Sequence, residues 1–249
     1  MLIWNTIKRN RGLIKAIIFD LDNTLTHRER SIEKFSNLFV QRFQTVLRNT
    51  SVYEISNLIK ETDNGGYGRP ENPHPKQKHS IAIRLHRELD WLQQPEQSEL
   101  LACWVTCFSE CAVELPGALE LIKLLKREGY QLAVISNGAE MTRVSTLKTL
   151  QIFPYLDCVV SSGAFGTKKP DAAIFEHVVK TLGCLPSECV YVGDHPVLDI
   201  EGARLAGLHA VWVEGFHTWP REYVLPRFSI GKLMDLLSSV LPELEAACG

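Results

Sequence analysis

Five short, nearly continuous apolar runs punctuate the chain: Lys15–Leu21 (KAIIFDL), Gln131–Ser136 (QLAVIS), Cys158–Ser161 (CVVS), Cys189–Val192 (CVYV) and His209–Val213 (HAVWV). Runs of this length without strict alternation fit strands buried on both faces of a parallel sheet. Between and after them, Ala118–Glu128, Ala139–Leu150, Asp171–Leu182 and Val197–Ala206 have helical spacing, and Gly129, Gly183 and Gly207 follow three of these segments. Glycine in that place stops a helix because it takes the left-handed conformation without a Cβ clash. Strand and helix in alternation predict an α/β fold built on a doubly wound parallel sheet.

The alternation breaks once. More than a hundred residues separate the first apolar run from the second, and the interval reads as helices over Ser31–Arg48, Tyr53–Thr62, Pro75–Asp90 and Glu96–Cys111. Phe35, Leu38, Phe39, Arg42, Phe43, Val46 and Leu47 recur three and four apart, one face of a helix. A simple crossover needs far fewer residues, so an all-helical domain inserted over residues 28–111 is expected, with residues 1–27 and 112–249 forming the α/β core. Inside the insert, Asn64–Pro75 (NGGYGRPENPHP) is a Gly/Pro-rich loop carrying Tyr67 and Arg69, and His27 and Arg28 fall where the chain enters the insert.

Composition narrows the class further. A net charge of -2 gives no general attraction to nucleic acid or anionic membrane. No apolar run approaches the ~18 residues that span a bilayer, and Met1–Gly12 lacks the apolar stretch of a secretory leader. The seven cysteines then read as reduced thiols of a cytoplasmic protein. Cys103, Cys107 and Cys111, four apart, fit one buried helical stripe better than a zinc site.

Four elements follow predicted strands, at the edge where open α/β sheets bind ligands. Asp20-Leu21-Asp22-Asn23-Thr24 puts two carboxylates at the end of a buried strand, a costly placement without a cation or a catalytic role. Ser136-Asn137-Gly138 offers a hydroxyl and an amide to phosphate oxygens near a helix start. Lys169-Pro170 stands at another helix start, with the proline suited to the first turn. Gly193-Asp194-His195-Pro196-Val197-Leu198-Asp199 adds two more carboxylates. Singly, each reads as a cap or a turn; together and in order they define a site. His195 is expected to make local hydrogen bonds.

This set resembles the haloacid-dehalogenase superfamily, whose four motifs match Asp20/Asp22/Thr24, Ser136, Lys169 and Asp194/Asp199. The insertion just after the first motif resembles its helical-cap subgroup. The resemblance implies a phosphatase working through an aspartyl-phosphate: Asp20 as nucleophile, Asp22 as acid and base, and Ser136, Asn137 and Lys169 as phosphate-binding groups. It also implies Mg2+ held by Asp20, Asp194 and the Asp22 backbone carbonyl, with Asp199 and Thr24 in orienting roles. The family pattern, lysine directly before proline, selects Lys169 over Lys168. Dehalogenating relatives lack a carboxylate at the position of Asp22, so its presence points to a small phosphate monoester: sugar phosphate, nucleotide or, from a loose similarity of Leu225–Ile230 and Trp212 to flavin-type phosphatases, flavin. A phosphomutase, a receiver-like phospho-acceptor module and a non-catalytic binding protein are the alternatives. The expected partner is a small phosphorylated metabolite, neither nucleic acid nor membrane, met by a monomer or homodimer.

Overall fold

The computed structural model describes residues 14–247. Its sheet has six parallel strands: β1 (Ala16–Phe19), β2 (Gln131–Ser136), β3 (Cys158–Ser161), β4 (Cys189–Gly193), β5 (His209–Val213) and β6 (Phe228–Ile230), in the spatial order β3-β2-β1-β4-β5-β6. The five apolar runs are thus strands of one doubly wound sheet, as their sequence predicts. β6 is a further edge strand of three residues. Winding reverses direction at β1, which pairs with β2 on one side and β4 on the other. Such a switch point opens a crevice beyond the carboxyl ends of the strands.

The helices, in chain order, are α1 (Arg28–Phe43), α2 (Val52–Asp63), α3 (Gln77–Glu88), α4 (Gln97–Cys107), α5 (Ala118–Arg127), α6 (Glu140–Thr149), α7 (Ser162–Phe165), α8 (Ala172–Thr181), α9 (Gly202–Leu205) and α10 (Leu241–Ala247). Two compact units result. Of the described residues, 14–25, 116–140 and 152–247 form the first; residues 26–115 and 141–151 form the second.

In the first unit, alternate positions of the central strands (Ala16, Ile18, Ala133, Ile135, Cys189, Tyr191) meet Ile174, Phe175, Val178 and Val179 of α8 in one buried cluster. Asp171 caps α8 by accepting a hydrogen bond from Ala173 N at 2.9 Å, so Pro170 precedes the helix instead of opening it. The segment Pro196–Glu201 is a π-helical turn that runs into α9, where the spacing predicts one α-helix.

The second unit has its own core, with Phe35, Phe39 and Phe43 of α1 packed among Ile55, Ile59, Ile81, Leu85, Leu100 and Trp104. Helix α1 stops at Phe43 and not Arg48. Leu47 leaves to form an antiparallel bridge with Trp91, and Arg48 N donates to Asp90 O at 2.9 Å. Ser51 and Glu54 form a reciprocal capping box at the start of α2. Helix α4 ends at Cys107, leaving Cys111 in a separate 3-10 turn, so the three thiols do not share one helix. Cys103 and Cys111 are buried all the same, and burial pushes the Cys103 thiol up to about 12. Arg28 lies inside this unit, paired through two 2.7 Å hydrogen bonds to the buried Asp63. Among the described residues no helix is long and apolar enough to cross a membrane.

Candidate active site

The carboxyl ends of β1, β2 and β4 carry the groups that the motifs single out. Asp20 follows β1, and its backbone N–H donates to Val192 O at 2.9 Å, which fixes it beside the end of β4. Ser136 ends β2 with its side chain buried. Lys169 is 3% exposed and Lys168 exposed, so only Lys169 turns into the site. Its Nζ donates to Asp20 Oδ1 at 2.5 Å, Asp199 Oδ1 at 2.6 Å and the Tyr191 hydroxyl at 2.9 Å. Burial alone would push the Lys169 ammonium down, but the Asp199 and Asp20 carboxylates outweigh it and hold its pKa well above the usual lysine value.

Asn137 engages the backbone of Lys169. Its Oδ1 accepts from Lys169 N at 3.0 Å and its Nδ2 donates to Lys169 O at 3.2 Å. The amide therefore clasps the lysine backbone and brings the β2 turn to the Lys169 loop. Gly138 N, donating to Ser162 Oγ at 3.0 Å, ties the same turn to the loop after β3. Thr24 is fully buried and Asp22 half-buried in the turn after β1, where Asn23 adopts a left-handed φ of 58°.

Asp194 is buried, and its backbone carbonyl accepts the Trp212 indole N–H at 2.8 Å. His217, from the loop after β5, sets Nε2 3.3 Å from Asp194 Oδ2. His195 Nδ1 accepts from Val197 N and Leu198 N, both at 3.2 Å. Burial, helped by His217, pushes the His195 imidazole down to about 4, so it is a neutral acceptor at ordinary pH. Tyr191 and His217 escape the motif reading altogether. The one signal for Tyr191 is a phenol in an otherwise aliphatic strand, since a buried hydroxyl needs a partner.

Carboxylate oxygens of Asp20, Asp194 and Asp199 lie within 4.8 Å of one another. Burial raises the Asp20 pKa well above the usual carboxylate range; Lys169 opposes this, and the charges of Asp199, Asp194 and Asp22 add to it. Burial likewise raises Asp194. The three acids are not equivalent. Both Asp199 oxygens are engaged, Oδ1 by Lys169 and Tyr191 and Oδ2 by His195 N at 3.0 Å. Asp20 Oδ2, by contrast, is buried with no hydrogen-bond partner. An orphaned carboxylate oxygen beside a second buried acid suits a hard divalent cation, which would restore both ionised forms.

The sheet, its switch point and this cluster form an α/β site in which a buried carboxylate is hydrogen-bonded by a lysine. Residues 14–207 match the family model for haloacid dehalogenase-like hydrolase, and the chain belongs to that family. It is 30% identical over 205 residues to a glyceraldehyde 3-phosphate phosphatase of Pyrococcus furiosus, covering 80% of each chain. Among solved structures it is similar to the magnesium-bound HAD-hydrolase YfnB of Bacillus subtilis, with a TM-score of 0.69 at 19% identity over 90% of this chain and 97% of the other. The L-2-haloacid dehalogenase of Xanthobacter autotrophicus gives a TM-score of 0.68 at 17% identity, over 92% and 98%. At such identities the two structures share the fold.

Proposed function

We propose that the protein is a cytoplasmic, Mg2+-dependent phosphatase of a small phosphate monoester, acting through an aspartyl-phosphate on Asp20. The observation that carries this reading is the state of Asp20: Oδ1 held by Lys169, Oδ2 buried and unpartnered at the end of β1. Bound by Asp20, Asp194 and the Asp22 carbonyl, the cation would supply charge neutralisation to the phosphoryl group.

The remaining steps belong to the chain's own residues. An Asp20 carboxylate oxygen attacks phosphorus, and the ester P–O bond breaks. Asp22, two residues on and half-buried, gives its proton to the departing oxygen. Asp22 then takes a proton from water as that water attacks the phosphorus of the aspartyl-phosphate, which releases phosphate and restores both acids. Ser136 and Lys169 hold the non-bridging oxygens through both transfers. Asp22 also favours an ester over a carbon–halogen bond, since a halide needs no proton to leave. The similarity to a phosphatase of glyceraldehyde 3-phosphate makes short sugar phosphates the first esters to assay.

Phosphate release from a panel of esters tests the proposal. Release should require Mg2+, stop with excess chelator, and fall by several powers of ten in Asp20→Asn, whose amide is a poor nucleophile. Near-normal release from Asp20→Asn, or in excess chelator, overturns it. Isomerised ester without free phosphate would make the enzyme a mutase.

A further inference from the structure

Tyr191 lies on β4, three residues before Asp194, with its ring fully buried against Phe175 of α8 at a centroid distance of 5.0 Å. Its hydroxyl accepts from Lys169 Nζ at 2.9 Å and donates to Asp199 Oδ1 at 3.0 Å. An ammonium has three N–H donors, and Asp20 Oδ1, Asp199 Oδ1 and the Tyr191 hydroxyl supply three acceptors. An incoming phosphoryl oxygen can therefore be bound by Lys169 only if one of these partners is given up.

The three partners are not equally fixed. Asp199 is braced by the Tyr191 hydroxyl on Oδ1 and by His195 N on Oδ2. Tyr191 is braced by its buried ring and by the Asp199 carboxylate it donates to. Asp20 Oδ1, by contrast, has Lys169 as its one hydrogen-bond donor.

We infer that Tyr191 is a positioning residue that anchors Lys169 on the Asp199 side, so that the N–H released to an entering phosphoryl oxygen is the one held by Asp20. One rotation of the ammonium then does two things: it binds the phosphoryl group, and it frees the nucleophile's Oδ1. Without the hydroxyl, the lysine has two carboxylates as its buried partners and keeps Asp20 tied. This inference rests on the phosphatase reading of the same site.

Tyr191→Phe isolates the hydroxyl, because the ring stays, with its packing on Phe175 and the 5.6 Å approach of Lys169 Nζ to its centroid. The interaction acts as the phosphoryl group is transferred, so kcat should fall about 10- to 100-fold while KM changes by no more than about threefold. Binding of orthovanadate, which adopts the five-coordinate geometry of phosphoryl transfer, should weaken by about the same factor as kcat. Mg2+ affinity, measured by calorimetry, should stay unchanged. Phe175→Leu is the control: it loosens the ring packing without touching the hydroxyl, and should lower Tm while kcat and vanadate binding hold.

Unaltered kcat and vanadate affinity in Tyr191→Phe overturn the inference. So does a Phe175→Leu variant that loses as much kcat as Tyr191→Phe for the same loss of Tm, because packing would then explain both. An unmodified enzyme that neither releases phosphate nor binds vanadate refutes the phosphatase reading itself and takes this inference with it.

Discussion

A methyl group at position 193 has nowhere to go. An ideal Cβ built on Gly193 would stand 2.5 Å from both Cβ and Cγ of Asp199 and 2.6 Å from its Oδ2. Real contacts of that length do not occur, and Asp199 has no room to retreat, since Lys169, Tyr191 and His195 N hold its two oxygens. The last residue of β4 is thus glycine for close approach, not for an unusual φ. Gly193→Ala should displace Asp199 and with it the lysine that presents Asp20. A shift of about 1 Å in such an assembly costs on the order of a hundredfold in turnover, and the overpacking costs about 1–3 kcal/mol of stability. Steady-state kinetics with a urea melt check both figures, and normal turnover in Gly193→Ala would show that the position of Asp199 is immaterial to the reaction.

The helices of the second unit rely on a different kind of contact. Arg28 opens α1 and Asp63 closes α2, thirty-five residues apart, and both side chains are almost fully buried. Gln77 of α3 also donates to Asp63 Oδ1, and the Arg28 guanidinium lies 5.2 Å from the Phe108 ring centroid. Removing one partner of a buried pair strands the other charge, so Asp63→Ala should destabilise the protein by about 3–5 kcal/mol in urea unfolding; a loss under about 1 kcal/mol would mean that water reaches Arg28. No sequence pattern announces this contact, and the sequence places Arg28 at the chain's entry to the insert. What periodicity can report is local. β1 to β5 and α5, α6 and α8 are legible because buried strands and amphipathic helices write their period into consecutive residues. β6 is not legible, because three residues with a single exposed serine carry too little pattern. The site divides the same way. Asp20, Ser136 and Asp194 are singled out by their place after a strand, and Lys169 by the proline after it. The side-chain partner of Asn137 and the hydroxyl of Tyr191 depend on which strands are neighbours, and only the sheet order supplies that.

The groups assigned to the phosphoryl chemistry all belong to the first unit, while Tyr67, Arg69 and the rest of the Asn64–Pro75 loop belong to the second. A phosphatase so divided should separate chemistry from choice of ester. In the proposed mechanism every phosphate ester presents the same phosphoryl group to Ser136 and Lys169, so Ser136→Ala and Lys169→Ala should lower turnover for all esters, by about a hundredfold or more for the lysine. The leaving groups differ and need other contacts. Tyr67 is 38% exposed, and Arg69, 3.7 Å from Glu71, lines a cleft of about 550 Å³ with Asn72, Arg84 and Arg87. Arg84 is already paired with Glu88 at 2.6 Å and Glu61 at 3.3 Å, whereas the longer Arg69–Glu71 contact is exposed and weakly held. Arg69 is therefore less tightly committed than Arg84. Tyr67→Ala and Arg69→Ala should reorder kcat/KM among sugar phosphates and nucleotides, shifting individual values by about 3- to 30-fold, and leave a small aryl phosphate within about twofold. If both variants scale every ester by one common factor, or by none, the loop has no part in specificity and the discriminating contacts lie on other residues.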